Sequence, residues 1–229
     1  MNKPMGSRAL AWVFAGALAV WCAGGFAVAP ARANSQIANL AGIEKLDYDV
    51  LRNGDKIGDH SFRFSRNGNV LDVEIDTDVR VKLAFVTLYR FWHHSTEKWI
   101  DGRLVELTSK TDDDGTSHEM DARSSTGAIA VVADKKARRV EPGVIPASLW
   151  DARILQVPAT LNTIDGTTMA ISTAFVDESE EKGPEGMVRA RHHAITGELQ
   201  RELWFDARGA LVKVRFKGQD GSDIQYVLK

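Results

Sequence analysis

Residues 73–107 read VEIDTDVRVKLAFVTLYRFWHHSTEKWIDGRLVEL, and this pattern decides the fold class. Val73, Ile75, Thr77, Val79, Val81 and Leu83 fall on one phase, whereas Glu74, Asp76, Asp78, Arg80 and Lys82 fall on the other. A period of two with one charged face is the pattern of a half-buried β-strand. An aromatic block follows at residues 85–92. Trp99-Ile100 then meets Asp101-Gly102, a two-residue hairpin signal, because glycine accepts the positive φ that such a turn requires. A long strand and a hairpin at the centre of an antiparallel sheet are therefore expected.

Outward from this stretch the same signals recur. Upstream, residues 46–51 and 57–65 alternate on either side of Asn53-Gly54, and Gly58 inside the second strand predicts a bulge or close packing. Downstream, turn residues at 112–115, 124–127, 196–197, 207–209 and 220–221 separate short alternating runs. Neighbours in sequence should then pair in space as a meander. Residues 135–140 are basic, residues 142–146 read as a loop and residues 177–186 as an exposed acidic loop. Ser148 is expected to cap one short helix that Pro158 ends. The resulting expectation is a mainly β fold, with a large curled antiparallel meander sheet, an open half-barrel, wrapped around one short helix. About ten strands and one helix do not suit a doubly wound α/β fold.

The first 33 residues read as a secretory signal peptide. Lys3 and Arg8 form a basic start, residues 10–28 are apolar, and Ala31-Arg32-Ala33 fits the small-x-small cleavage pattern. Residues 34–229 are then a single β-rich domain in the periplasm or secreted, with no stable membrane anchor after cleavage. Of the 29 basic and 31 acidic residues, Lys3, Arg8 and Arg32 lie in the leader, so the mature chain has 26 against 31, a formal charge of −5. This balance argues against a nucleic-acid partner. The only cysteine, Cys22, lies in the leader. The mature chain therefore has no disulfide, thiolate nucleophile or cysteine-held metal.

Several runs resemble an exported bacterial family, the domain-of-unknown-function family 6134. They are residues 81–91, Glu97-x-Trp99-x-Asp101-Gly102-Arg103-Leu104, Pro146-x-x-x-Trp150, Leu203-Trp204-Phe205-Asp206-x-x-Gly209-x-Leu211, and Asp220-Gly221-Ser222-x-Ile224-x-Tyr226. The resemblance spans roughly residues 46–228. It implies export and no particular activity.

No catalytic set emerges. A Gly-x-Ser-x-Gly elbow is absent, and 31 acids offer no preferred carboxylate pair. By strand phase, His60, His93, His118 and His192 should face inward, but their spacing does not require convergence on a metal. Metal ligands and cofactors are therefore assigned to no residue. The Asp112-Asp113-Asp114-Gly115 run lacks calcium-loop spacing and reads as a turn. Tyr89, Phe91, Trp92, Trp99, Trp150 and Trp204 are the candidate ligand-binding residues, since large rings can line an apolar hollow. Trp92 shares its phase with Arg90 and His94, marking an edge or pocket mouth. The leading expectation is non-catalytic binding of a lipid or other hydrophobic small molecule, or of an envelope partner. The alternatives are an envelope-acting hydrolase and a structural interaction module. The sequence leaves oligomeric state open.

Overall fold

The computed structural model describes Leu40, residues 42–83 and residues 86–229. The expected leader lies outside the described residues. The chain runs β1 (Lys45–Arg52), β2 (Asp55–Asn67), β3 (Val70–Leu83), β4 (Val86–Ile100), β5 (Arg103–Asp113), β6 (Thr116–Ser125), β7 (Ala128–Ala133) and β8 (Lys136–Val140). After a short crossing segment come β9 (Ile145–Pro146), β10 (Ala159–Leu161), β11 (Thr168–Gly183), β12 (Gly186–Gly197), β13 (Arg201–Phe205), β14 (Leu211–Lys217) and β15 (Asp223–Leu228). All belong to one sheet, in the order β8-β7-β6-β5-β4-β3-β2-β1-β15-β14-β13-β12-β11-β10-β9. Each neighbouring pair is antiparallel except β9 with β10. The meander expectation therefore holds along both halves. The centre, however, is the seam between the first and last strands, where Tyr48 faces Leu228 and Arg52 faces Ile224.

Strand twist accumulates across a sheet, and open sheets beyond about ten strands curl. The curl can be bounded from the chain itself. The two edge strands, β8 and β9, are joined by only residues 141–144. At roughly 3.3–3.6 Å per residue, that link spans no more than about 18 Å. The edges must therefore approach one another, giving an open half-barrel. Its concave face holds one large core that joins Phe62 and Ile75 on one half to Leu203 and Val214 on the other.

The 73–107 stretch divides into more than one long strand. Val73, Ile75, Thr77 and Val79 are buried as the alternation requires, but the chain reverses after Leu83, which pairs with Val86. A second reversal follows at Asp101-Gly102, with φ values of 50° and 74°. Gly58 combines both expected reasons for a strand glycine. The β1–β2 register shifts beside it, and a Cβ there would lie 2.1 Å from the Asp78 carbonyl oxygen.

Three local expectations are corrected. There is no α-helix among the described residues. The expected short helix is a single 3-10 turn, Ala152–Gln156, capped by Asp151 rather than Ser148. Leu149 adopts φ 73°, which breaks any helix begun at Ser148. The segment is held by side chains pointing into the half-barrel, and its own turn hydrogen bonds matter less. The acidic 177–183 run is strand, not loop, because β12 sets basic residues against it: Glu178 faces Arg191, and Glu180 faces Arg189. The end of the expected 142–146 loop, Ile145–Pro146, is edge strand β9, because it pairs with Thr160 and Leu161 of β10.

Candidate functional site

Along β4 the inward phase reads Phe91, His93, Ser95, Glu97, Trp99. Eight residues of strand separate Phe91 from Trp99, about 26 Å. The two ends of this row serve different chemistry.

At the Trp99 end lies a closed polar node. Glu97 is 1 % exposed, and its Oε2 accepts hydrogen bonds from both Trp99 Nε1 and Trp150 Nε1 at 2.9 Å. The indoles meet edge to face, 5.6 Å apart at 87°. Burial pushes the Glu97 carboxyl pKa upward. The nearby Ser148 hydroxyl and the two indoles oppose that shift, and Oε1 makes no hydrogen bond. Arg153 lies 5.0 Å over the Trp99 ring, forks onto Asp151 at 2.5 and 2.9 Å, and donates to the Gly102 carbonyl at 2.7 Å. The segment between β9 and β10 is thus fastened to the β4–β5 turn. All donors at Oε2 come from the core, so this node holds structure.

At the Phe91 end lies a cavity of about 120 Å³. His60, Thr77, Phe91, His93, Arg201 and Tyr226 line it, beside apolar groups that include Ile75, Leu211 and Val214. His60 Nδ1 bonds Thr77 Oγ1 at 2.8 Å, and His93 Nδ1 bonds Thr111 Oγ1 at 2.7 Å. Burial lowers the His60 pKa to about 3 and the His93 pKa to about 4, with each ring further disfavoured by a neighbouring histidine. Both rings are therefore neutral at pH 7 and keep Nε2 as a second hydrogen-bonding atom. Neither is paired with a carboxylate. The adjoining hydroxyl of Ser95, next inward on β4, is buried without a partner.

Arg201 belongs to the inward phase of β13, with Leu203 and Phe205. Its guanidinium carbon lies 3.9 Å from the centre of the Phe216 ring, and Nη1 donates to the Gln200 carbonyl at 2.7 Å. Among the described residues no carboxylate pairs with it. Burial lowers its pKa while the side chain remains half-buried at the surface, and only neighbouring Tyr226 opposes the shift. Burial likewise raises the Tyr226 pKa, and among the described residues no group bonds its hydroxyl.

The six sequence-selected rings do not share this cavity. Phe91 lines it. Tyr89 stands beyond it, donating to Asp113 Oδ1 at 2.7 Å. Trp92 is half-buried on the outer face and stacks with His94 at 6.4 Å. Trp99 and Trp150 form the node. Trp204 is buried on the opposite sheet face with Ala190 and Val212, stacked on His192 at 3.9 Å. Ring size reports burial, which both sheet faces supply; it does not report which face encloses space. Of the four histidines expected inward, His60 and His93 converge, His118 pairs with Asp134, and His192 lies with Trp204. Arg201 was missed, although a cation in phase with Leu203 and Phe205 is a legible signal.

One outer-face cluster, Glu74, Asp76 and His94, offers ligand atoms within 4.8 Å of one another. The Arg63 guanidinium already sits 3.7 Å from Glu74 and 3.6 Å from Asp76. It supplies the positive charge that a metal would bring. The Asp112–Gly115 run is a turn in which Asp112 Oδ1 accepts from the Gly115 N–H at 2.7 Å.

A crystal structure from Brucella abortus, a beta-barrel-like protein of domain of unknown function DUF1849, is similar to this fold. Its TM-score is 0.60 at 10 % identity, over 81 % of this chain and 94 % of that chain. That likeness concerns the fold alone. Comparison with the curated proteins gives no match. The family Domain of unknown function (DUF6134) matches residues 48–229. The match takes in the Glu97, Trp99 and Trp150 node, the cavity and both halves of the sheet, and the chain belongs to this family.

Proposed function

We propose that this is an exported, non-catalytic binding protein that takes a small apolar or amphipathic molecule in the cavity at the Phe91 end of the half-barrel. The observation that carries this reading is the cavity's mixed wall. Apolar side chains from both halves of the sheet surround polar groups that the protein does not itself satisfy. Sites for small molecules are built this way, with mostly apolar walls and a few convergent polar atoms. Threonine hydroxyls orient the two histidines. A hydrolytic base is usually held by an acid, and the Thr pairing favours binding over hydrolysis. Export rests on the leader sequence, and cleavage after Ala33 would make Asn34 the first mature residue.

Two measurements test the reading. N-terminal sequencing of the periplasmic fraction should begin at Asn34; retention of the full chain in the inner membrane removes the export half. For binding, 1-hexanol titrated into the purified protein should raise the melting temperature and give saturable heat. Phe91→Trp, which fills the cavity from its wall, should abolish both. No saturable heat with the native protein would end the binding half.

A further inference from the structure

The cavity contains one positive charge without a counter-ion, and this points to its ligand. Desolvating a cation without a partner is expensive, so inward-facing charges in folded proteins are normally paired. Glu97, an inward acid of this half-barrel, obeys the rule through two indole donors. Arg153, a half-buried arginine near Glu97, obeys it through Asp151. Among the described residues, Arg201 has only the Phe216 ring and one backbone carbonyl. Beside it stands Tyr226, whose hydroxyl has no partner among the described residues, and both line the same cavity.

We propose that the cavity takes a monocarboxylate with an apolar body, with Arg201 as its counter-ion and Tyr226 as a second donor. This rests on the binding reading above and names the ligand class. Guanidinium and phenol are both donors, and a carboxylate accepts from both without a donor of its own. The charge count selects a monoanion. Arg201 supplies one positive charge, and the neutral rings of His60 and His93 add none. A phosphate monoester dianion would leave negative charge buried in the cavity. Size selects a small head and a short body, because cavities near 150 Å³ hold a molecule of about benzene size. Ile75, Leu211, Val214 and Phe216 supply apolar wall for the carbon chain. The same chemistry is presented by a free short-chain acid and by the head of a fatty acid whose tail leaves through the mouth past Phe91.

The test is calorimetric titration of the native protein at pH 7 with hexanoate, 1-hexanol, hexylammonium, inorganic phosphate and palmitate, repeated with Arg201→Met, Arg201→Lys and Tyr226→Phe. Hexanoate should bind about tenfold or more tighter than hexanol, the margin of roughly one charge-assisted hydrogen bond. Hexylammonium and phosphate should not bind. Arg201→Met should bring hexanoate down to the level of hexanol and leave hexanol unchanged. Arg201→Lys should restore part of the difference, and Tyr226→Phe should lose a smaller part. Hexanoate binding assigns a free acid; palmitate binding with hexanoate excluded assigns a fatty acid.

Equal affinity for hexanoate and hexanol overturns the carboxylate while leaving the binding reading intact. Phosphate binding that needs Arg201 overturns the ligand class. Failure of every probe, hexanol included, removes the binding reading itself. A separate readout guards against a merely structural arginine: without ligand, Arg201→Met should melt no lower than the native protein, since it removes an uncompensated cation. A fall of several degrees would place Arg201 in the scaffold and overturn the proposal. If Arg201→Met does not fold, the proposal is likewise overturned, whatever Arg201→Lys retains.

Discussion

Three buried ionisable residues, Glu97, His60 and His93, illustrate how environment sets both state and consequence. Glu97 holds two indole N–H groups on one oxygen, 53 residues apart in sequence for Trp150. Replacing it by leucine leaves both donors buried without an acceptor, at about 1–3 kcal/mol each. Glu97→Gln keeps a carbonyl oxygen for the same two donors. In urea denaturation, Glu97→Leu should therefore lose several-fold more stability than Glu97→Gln. Equal losses would mean that the indole bonds contribute little. The histidines act in the opposite direction on pH. Their folded pKa values, about 3 and about 4, lie below the ordinary value of 6.5. Below pH 6.5 the unfolded chain binds more protons than the folded one, so stability falls as pH falls. The stabilisation from the neutral rings is complete above pH 6.5 and is lost progressively down to pH 4 and then pH 3. Glu97, with its raised pKa, opposes this trend, because its contribution is fully present only at low pH. The urea midpoint should drop between pH 7 and pH 4.5, and the drop should shrink in a His60→Gln, His93→Gln double variant.

At the scale of elements, the β1–β2–β3 layer depends on a glycine and the interior on a segment with little regular structure. A Cβ on Gly58 would meet backbone, the Asp78 carbonyl oxygen, which cannot rotate away. Gly58→Ala should force the strands apart and cost about 1–3 kcal/mol, read as a lower urea midpoint with an unchanged slope. The β3–β4 hairpin behaves differently. It extends past its neighbours on both sides: β2 pairing ends at Val79 and β5 pairing begins at Phe91. Val86 and Leu88 on it are 61 % and 56 % exposed. The apolar phase that began in the core at Val73 thus continues into solvent. The segment between β9 and β10 shows the converse, since its sequence reads as a capped helix, whereas its structure is set by what surrounds it. Leu149 keeps a left-handed φ at a cost of order 1–3 kcal/mol, a conformation that persists only when the surroundings over-determine it. Its neighbour Trp150 is locked between Phe64, Trp99 and Glu97.

For the whole molecule, the order of strands carries a prediction. The first and last strands are hydrogen-bonded neighbours, and the Lys229 N–H donates to the Asp47 carbonyl at 2.9 Å. The sheet is interrupted only between β8 and β9, where residues 141–144 cross. A circular permutant that joins Lys229 by a short glycine linker to Gly42, and opens between Pro142 and Gly143, preserves every strand pair. It should fold, with a melting temperature within a few degrees of the native order; permutation is tolerated where chain ends lie close. If it fails to fold, the crossing segment does more than hold the edges near one another. Deletion of β15 should prevent folding altogether, because it separates β1 from β14.

Local sequence suffices for the β class, the meander, most of the hairpins and the buried phase of β2, β3 and β4. These are local properties: side chains alternate every residue, and Asp-Gly or Asn-Gly turns specify their own reversal. Burial of Trp99 and Trp150 was also written in the chain, since large rings seek the core whatever the topology. Tertiary packing is what makes the acidic 177–183 run a strand, because its basic partners lie on β12, and what prevents an α-helix after Ser148. It alone decided which aromatic residues share a space. Trp204 and Phe205 are adjacent, so strand alternation sends one to each side, and the curl of the sheet sets which side encloses the cavity. The site depends on long-range closure, which brings His60 on β2, His93 on β4, Arg201 on β13 and Tyr226 on β15 around one cavity. No spacing in a linear sequence encodes that convergence, because it follows from the accumulated twist of fifteen strands and from the short link that draws their edges together.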